Sequence, residues 1–588
     1  MVLATNSWMV SHLNSLAVHP QSGLIAAVAP RSMVRLNPID LLIIGVYFVL
    51  VVFIGFYLKE SSNTGEEFFM AGRQMTAWIA GLSFVSANLG SLELMGWAGS
   101  AYQYGILATH WYWIGAIPAM LFLGIVMMPF YYISKVNSVP GYLQLRYGPA
   151  TRALSGISFA LMTILMSGIN MYAMALVMKV VLGWNLNFSI WISAITVAIY
   201  VALGGLRSAI YNEVLQFLLI WAGSLLVPIL GLVEVGGWSN LEKQIIHNVG
   251  QTGYLHMWTT LGHFSTNPMG VNWFGIVFGL GFVVSFGYWT TDFLVVQRVL
   301  SADTLRSARM APILGAAFKM MVPFIVILPG LLALSVLPFR LVAQDIAVHT
   351  GQHSFNEVLP LMLVRYCGPG LLGLGVTALI AGFMSGMAGN VSAFSTVWTY
   401  DLYGAFMNKK ASDEHYVKMG RWCTLVGVLV SIGTAYLVQH AASIMDYVQA
   451  LFSFFIAPLF GTVILGMLWR RATAAGGFWG LLSGTVTSFG LWEWVQRDPT
   501  ALRYVAFSPD AKAMAQDIFR AWWAWVVCVV VTVVVSLLTK PRPVAELEGL
   551  VYGVTPIPKE HDEHWHQRPM VWAGVILAVF IALNVVFR

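Results

Sequence analysis

Ser86, Asn88, Gly90, Ser91 and Glu93 fall within eight residues of "SANLGSLELMGW", inside an otherwise apolar run. At low dielectric, amide, hydroxyl and carboxylate groups can hydrogen-bond a polar solute. Oxygen atoms, including carbonyls freed where a helix breaks, can hold a hard cation. A kinked helix whose polar groups pair with a neighbour is the plain alternative; it explains one polar residue better than four clustered with a glycine. A second interruption, "SFGYWTTDFLVVQR", sets Gly287 ahead of Tyr288, Trp289, Thr290, Thr291 and Asp292. Lys319 in "APILGAAFKMMVPF" is expected by itself to snorkel to the cytoplasmic interface, and Glu213 in "AIYNEVLQF" to be an interfacial acid. The run "LIAGFMSGMAGNVSAFSTVWTYDLYG" offers small residues for close helix packing and, at Ser385, a hydroxyl for a cation.

The elements that must position these groups are membrane helices. The chain has 588 residues, 58% of them hydrophobic and 10% charged, with a mean hydropathy of +0.75, which leaves too little polar surface for a soluble protein of this size. Apolar runs of about 20 residues recur from Ile39 onward, each long enough to cross the hydrocarbon layer as a helix, and they lack the alternation of a barrel. About 14 spans are expected, beginning near residues 38, 75, 107, 152, 184, 210, 271, 311, 369, 420, 443, 474, 520 and 569. The two interruptions lie five spans apart, the spacing of an inverted-repeat transporter with a midplane site. Basic residues cluster in alternate short loops, among them Lys135, Arg146 and Arg152, then Arg298, Arg306 and Arg309, then Lys409, Lys410, Lys418 and Arg421, then Arg470 and Arg471. By the positive-inside rule both termini are extracytoplasmic.

Other chemistry finds little support. Cys367, Cys423 and Cys528 have no metal or redox spacing and are expected to be packing residues. The "HDEHWH" stretch from His561 to His566 matches no closed zinc site and is assigned to a solvated loop. No phosphate-binding or metalloprotease motif occurs, so no catalytic residue and no nucleic-acid partner is expected. Residues 1–35 hold one short apolar patch, "GLIAAVA", and are assigned to an extracytoplasmic tail.

"FFMAGRQMTAWIAGLSFVSANLGS", "ALGGLRSAIYNEVLQ", "YWTTDFLVVQRVLSA", "FKMMVPFIVILPG" and "STVWTYDLYG" occur in that order. With them, from about residue 38 to 472, the chain resembles the solute:sodium symporters of the sodium/glucose cotransporter type. The resemblance implies an all-α polytopic protein of the LeuT-like 5+5 inverted-repeat fold. It implies an extra first helix over 36–74, repeats over 75–236 and 271–472 joined by an outer loop over 237–270, and further helices over 473–588 with a cytoplasmic loop near 541–568. It implies a sodium site of Ser86 and Leu89 carbonyls, the Gly382 carbonyl and the Ser385 hydroxyl, with Gly386 where the family usually has a second hydroxyl. The family's ion-coupling acid falls on Glu213. Its solute ligands fall on Asn88, Glu93, Ser285, Tyr288, Trp289, Lys319 and Gln449, with Ser285 in place of an Asn and Tyr112 in place of a Glu. The expected activity is sodium-driven symport of a small polyhydroxylated solute, a sugar first, across a cell membrane. A nucleoside, inositol or organic acid carrier, a proton-coupled carrier, and a transporter-like sensor are the alternatives, and the oligomeric state stays open.

Overall fold

The computed structural model describes residues 36–57, 64–337, 341–342, 347, 350, 352–441, 443–558 and 564–588. The 1–35 tail, and the first half of the stretch from His561 to His566, lie outside it. Among the described residues no strand forms; two isolated bridges, Met75 with Ala302 and Val342 with Ser354, join loops. The helices that build the site are α1 (Pro38–Tyr57), α2 (Ala77–Asn88), α3 (Ser91–Tyr104), α4 (Trp111–Ile133), α5 (Pro149–Leu182) and α6 (Leu186–Ser224). There follow α7 (Gly275–Thr291), α8 (Phe293–Leu300), α9 (Leu305–Lys319), α10 (Val322–Val336), α11 (Leu371–Thr396), α12 (Asp413–Val438) and α13 (Ile444–Leu468). The last are α14 (Ala474–Arg497), α15 (Ala513–Leu538) and α16 (Pro569–Val586).

Among the described residues, eight helical segments are long and apolar enough to cross a membrane, and eleven if each of three bent pairs is one span. Two of the bends are the expected interruptions: α2 and α3 meet at 56°, α7 and α8 at 49°. The third, 46° between α9 and α10, falls just after Lys319 in a run expected to be one span. A further kink, at Gly205 in α6 (φ 57°), separates the runs expected to begin near 184 and 210.

The core is a bundle in which α11 packs along α6, α5 and α2, and α9 packs on α2. Large apolar side chains such as Phe53, Trp191, Leu429 and Val534 stay exposed on the outer faces of the helices. α14 and α15 pair along their lengths outside the site. Several arginines counted as loop charges are built into the bundle. Arg146 is buried and donates to the carbonyls of Gly466 (2.7 Å) and Trp469 (3.0 Å), and Arg152 holds Asp401 at 2.7 Å. The three cysteines are free and buried, as packing residues should be. The loop after α15 is docked: the Tyr142 hydroxyl donates to Leu550 O (2.6 Å), and the Tyr552 N–H donates to Met467 O (2.8 Å).

Candidate functional site

The break between α2 and α3 is made by local backbone choices. Thr76 caps the start of α2. At its end Leu89 leaves helical geometry (φ −77°, ψ 49°), with its N–H shared between Val85 O and Ser86 O, both at 3.0 Å. Gly90 is extended and restarts the chain as the first residue before α3. A glycine is required there by close approach, since a Cβ would lie 2.6 Å from Asn170 Oδ1 and 3.4 Å from Gly386 Cα.

Ser86, Leu89, Gly382 and Ser385 converge at this break. The Ser385 hydroxyl donates to Ser86 O at 2.9 Å and lies 3.2 Å from the Ser86 hydroxyl. A Cβ on Gly382 would meet Leu89 O at 2.9 Å. All four residues are buried. The Ser86 carbonyl is not simply freed by the break, because the Leu89 N–H and Ser385 hydroxyl both point at it. Gly386, one position on, is a glycine for a steric reason: a Cβ there would lie 3.0 Å from both Asn170 Oδ1 and Gly90 Cα.

Next to the break lies a cavity of about 60 Å³. Asn88, Glu93, Ser285, Tyr288, Trp289, Lys319 and Gln449 all line it. Lys319, only 1% exposed, does not snorkel. At the C-terminal end of α9 its ammonium turns inward to Glu93 Oε1 at 2.9 Å and to Asn88 Oδ1. It sits 5.0 Å from the Tyr112 ring centroid and 5.2 Å from that of Trp289, where two π faces add to the carboxylate in offsetting its desolvation. The Tyr112 hydroxyl donates to the same Glu93 oxygen at 2.8 Å. Asn88 passes the network on, donating from Nδ2 to the Tyr288 hydroxyl at 2.8 Å. Gln449 Oε1 is buried and has no partner among the described residues. The polar run after Trp289 is spent locally: Thr290 and Thr291 bond back to the carbonyls of Phe286 and Gly287, and Asp292 caps α8 through the Leu294 N–H.

The cavity wall also contains Trp97, Trp111, Asn170, Asn390 and Phe452, none of them singled out from the sequence. Phe452 is three residues after Gln449, on the same helical face, and its ring lies 5.0 Å from that of Tyr288. Asn170 is a polar residue in the apolar run of α5, the kind of intramembrane residue that marks function by default.

Glu213 does not face solvent. It is fully buried, with Oε1 2.6 Å from Arg298 Nη2, and Oε2 accepting from Arg298 Nε (3.3 Å) and from the Ser83 hydroxyl. Ser83 lies on α2, one turn before Ser86, so the pair ties α6, α8 and α2 together. The acid is neutralised by a guanidinium rather than free.

A broken α2–α3 helix beside a second broken helix, with polar groups at the junction, is a transporter arrangement. The model of the sodium:solute symporter family matches residues 68–484, which span both breaks and the whole cavity. The chain belongs to the sodium:solute symporter family. Membership makes it a multi-pass membrane transporter with sodium as coupling ion, not an enzyme. It is 29% identical over 567 residues to sodium/glucose cotransporter 4 of Homo sapiens, covering 92% of this chain and 82% of that one. To sodium/myo-inositol cotransporter 2 of Oryctolagus cuniculus it is 27% identical, covering 90% and 81%. A solved structure of a Na+-coupled sialic acid symporter, substrate-bound and outward-open, superposes with a TM-score of 0.71 at 19% identity, covering 86% of this chain and 99% of that one. That likeness shows the fold.

Proposed function

We propose that this symporter imports a small polyhydroxylated solute, a sugar first, by alternating access around the cavity beside the α2–α3 break. The observation that carries the reading is the convergence of an amide, a carboxylate–ammonium pair and an unpartnered Gln449 acceptor on an aromatic-walled cavity that adjoins the Ser86–Ser385 locus. A sugar offers hydroxyls in every direction and an apolar ring face, and such a wall answers both. Asn88, Glu93, Ser285, Lys319 and Gln449 take the hydroxyls, and Tyr288 and Trp289 take the ring face. Ser86, Leu89, Gly382 and Ser385 hold the sodium ion. Glu213 serves coupling through the Arg298 pair, which fixes α2 against α6 and α8.

At ~15 Å³ per water the cavity holds about four waters, and a hexose is several times larger. Solute entry therefore requires the cavity wall to open, and the contact of the Phe452 ring on α13 with Tyr288 on α7 (5.0 Å) is one seam along which it can part. The inverted repeat over 75–236 and 271–472, and extracytoplasmic termini, complete the proposal. The energetics suffice: about 2.3 kcal/mol per charge at 100 mV plus about 1.4 for a tenfold sodium gradient permits roughly 500-fold accumulation with one ion. Inositol is the second reading, favoured by the likeness to the rabbit myo-inositol carrier. Proteoliposome uptake of labelled glucose, galactose and myo-inositol, each with and without an inward sodium gradient, tests both. Gln449→Ala and Lys319→Ala should abolish solute binding. Sodium-independent uptake ends the coupling reading, and unchanged affinity in those variants removes the two residues from the site.

A further inference from the structure

We propose that the side-chain amide oxygen of Asn170 is a ligand of the coupling cation and takes the place of the hydroxyl that Gly386 lacks. The inference rests on the sodium-coupled reading above. Asn170 is 1% exposed and projects from α5 into the gap between the α2–α3 break and α11. Its Oδ1 lies 3.0 Å from where a Cβ of residue 386 would be, and 2.6 Å from where one on Gly90 would be. The two glycines thus open a slot, and the amide fills it. Around one turn of α11, Leu89 O faces Gly382, Ser86 O and Oγ face Ser385, and Asn170 Oδ1 faces Gly386. Oxygen atoms from three helices, α2 with its break, α5 and α11, therefore lie along one turn of α11, the donor type a hard cation takes.

The orientation of the amide is set by its neighbours. The Leu92 N–H, in the first turn of α3 and so without a helical acceptor, finds Oδ1 at 3.3 Å, which leaves Nδ2 to bond back to Met166 O at 3.4 Å. Both bonds are long, and an amide oxygen that receives one long hydrogen bond keeps a lone pair for a cation. Asn170 also faces the solute cavity, so a ligand there would join ion occupancy to the solute side. A purely structural role, capping the first turn of α3 through Leu92, is the competing account.

Purified full-length protein in detergent is titrated with sodium, at constant ionic strength with choline, and the melting temperature is followed without solute. Asn170→Ala should raise the half-saturating sodium concentration about ten- to hundred-fold, the effect of losing one ligand to a charge. In the N170A/G386S double variant the new hydroxyl takes the side of the slot that the amide vacates, and since its Cβ still lies 3.0 Å from Gly90 Cα the recovery should be partial. Asn170→Asp should lower half-saturation at neutral pH and make it depend on pH; this carries the test if the alanine variant does not fold. A mere cap would lower stability equally in sodium and choline. Half-saturation within twofold of wild type in both N170A and N170D overturns the proposal, as does a loss confined to solute affinity. A wild-type protein that melts identically in sodium and choline overturns the sodium-coupled reading itself.

Discussion

Breaking the Arg298–Glu213 pair on one side should destabilise the protein far more than removing it whole. Both side chains are fully buried. Glu213 receives three donors, two from Arg298 and one from Ser83. Among the described residues Arg298 has only Leu294 O (2.9 Å) and Gln297 Oε1 (3.2 Å) besides. In Glu213→Gln the guanidinium keeps its charge in a dry site with two neutral acceptors and a weakened third. Leaving such a charge uncompensated costs about 3–5 kcal/mol. Arg298→Met strands the carboxylate with the Ser83 hydroxyl alone and should cost a similar ~3–5 kcal/mol. In the double variant no charge remains, and paired replacement by uncharged groups is often close to neutral, so the loss should stay within ~2 kcal/mol. The cycle then yields a coupling energy of at least ~4 kcal/mol, beyond the range of ordinary neighbours. Thermal unfolding of the four proteins in detergent, followed by intrinsic fluorescence, measures it. Additive losses in the double variant, or single variants within ~1 kcal/mol of wild type, would refute the reasoning that this pair, not Glu213 alone, holds α2, α6 and α8.

Tyr112→Phe removes the 2.8 Å hydroxyl contact to Glu93, a bond to a charged group worth about 1.5–3 kcal/mol. Solute affinity measured by calorimetry should fall roughly ten- to hundred-fold, and an unchanged value would take Glu93 out of solute binding. Gly90→Ala places a methyl 2.6 Å from Asn170 Oδ1. Overpacking there should cost ~1–3 kcal/mol in thermal stability, and a neutral result would mean that the break relaxes freely. In the connection before α11, outside the spans, His353 Nδ1 lies 2.6 Å from Glu357 Oε2, and Lys179 holds the other oxygen at 3.0 Å. The hydrogen bond to Glu357 raises His353 above its ordinary value. Burial pushes Glu357 up, but His353 and Lys179 prevail and hold it below. The histidine's contribution is full below about 6.5 and is lost as pH rises through its raised value. The carboxylate's is full above about 4.5 and is lost as pH falls through its lowered value. The stability gap between wild type and His353→Gln should therefore peak between about pH 4.5 and 6.5, at under ~1 kcal/mol since His353 is half exposed. A gap equal at pH 5.5 and 8.5 would contradict it.

Features that depend on a few neighbouring residues were legible in the sequence. The break at Asn88–Gly90 could be placed because four polar residues and a glycine in an apolar run leave the backbone no uninterrupted helix. The Gly287–Asp292 interruption was found on the same ground. The bend after Lys319 was not, because no polar cluster marks it. Asn170 and Phe452 carried weak signals, an isolated amide in an apolar span and a ring one turn from Gln449.

By itself, then, the sequence determined the membrane class, both polar breaks and the set of residues able to meet at them, since hydropathy and backbone hydrogen bonding act within a span. Partner choice belonged to the tertiary structure. Lys319 could as well have snorkelled; packing of α9 on α2 brought it to Glu93, 226 residues away. Glu213 looked like an interfacial acid until α8 delivered Arg298 to it. Gly386 looked like a missing ligand, and only the approach of α5 set Asn170 Oδ1 against it. In a medium without water a buried charge or amide must find its partner within the protein. Which partner it finds is settled by how distant helices pack, a property that no local window of the chain contains.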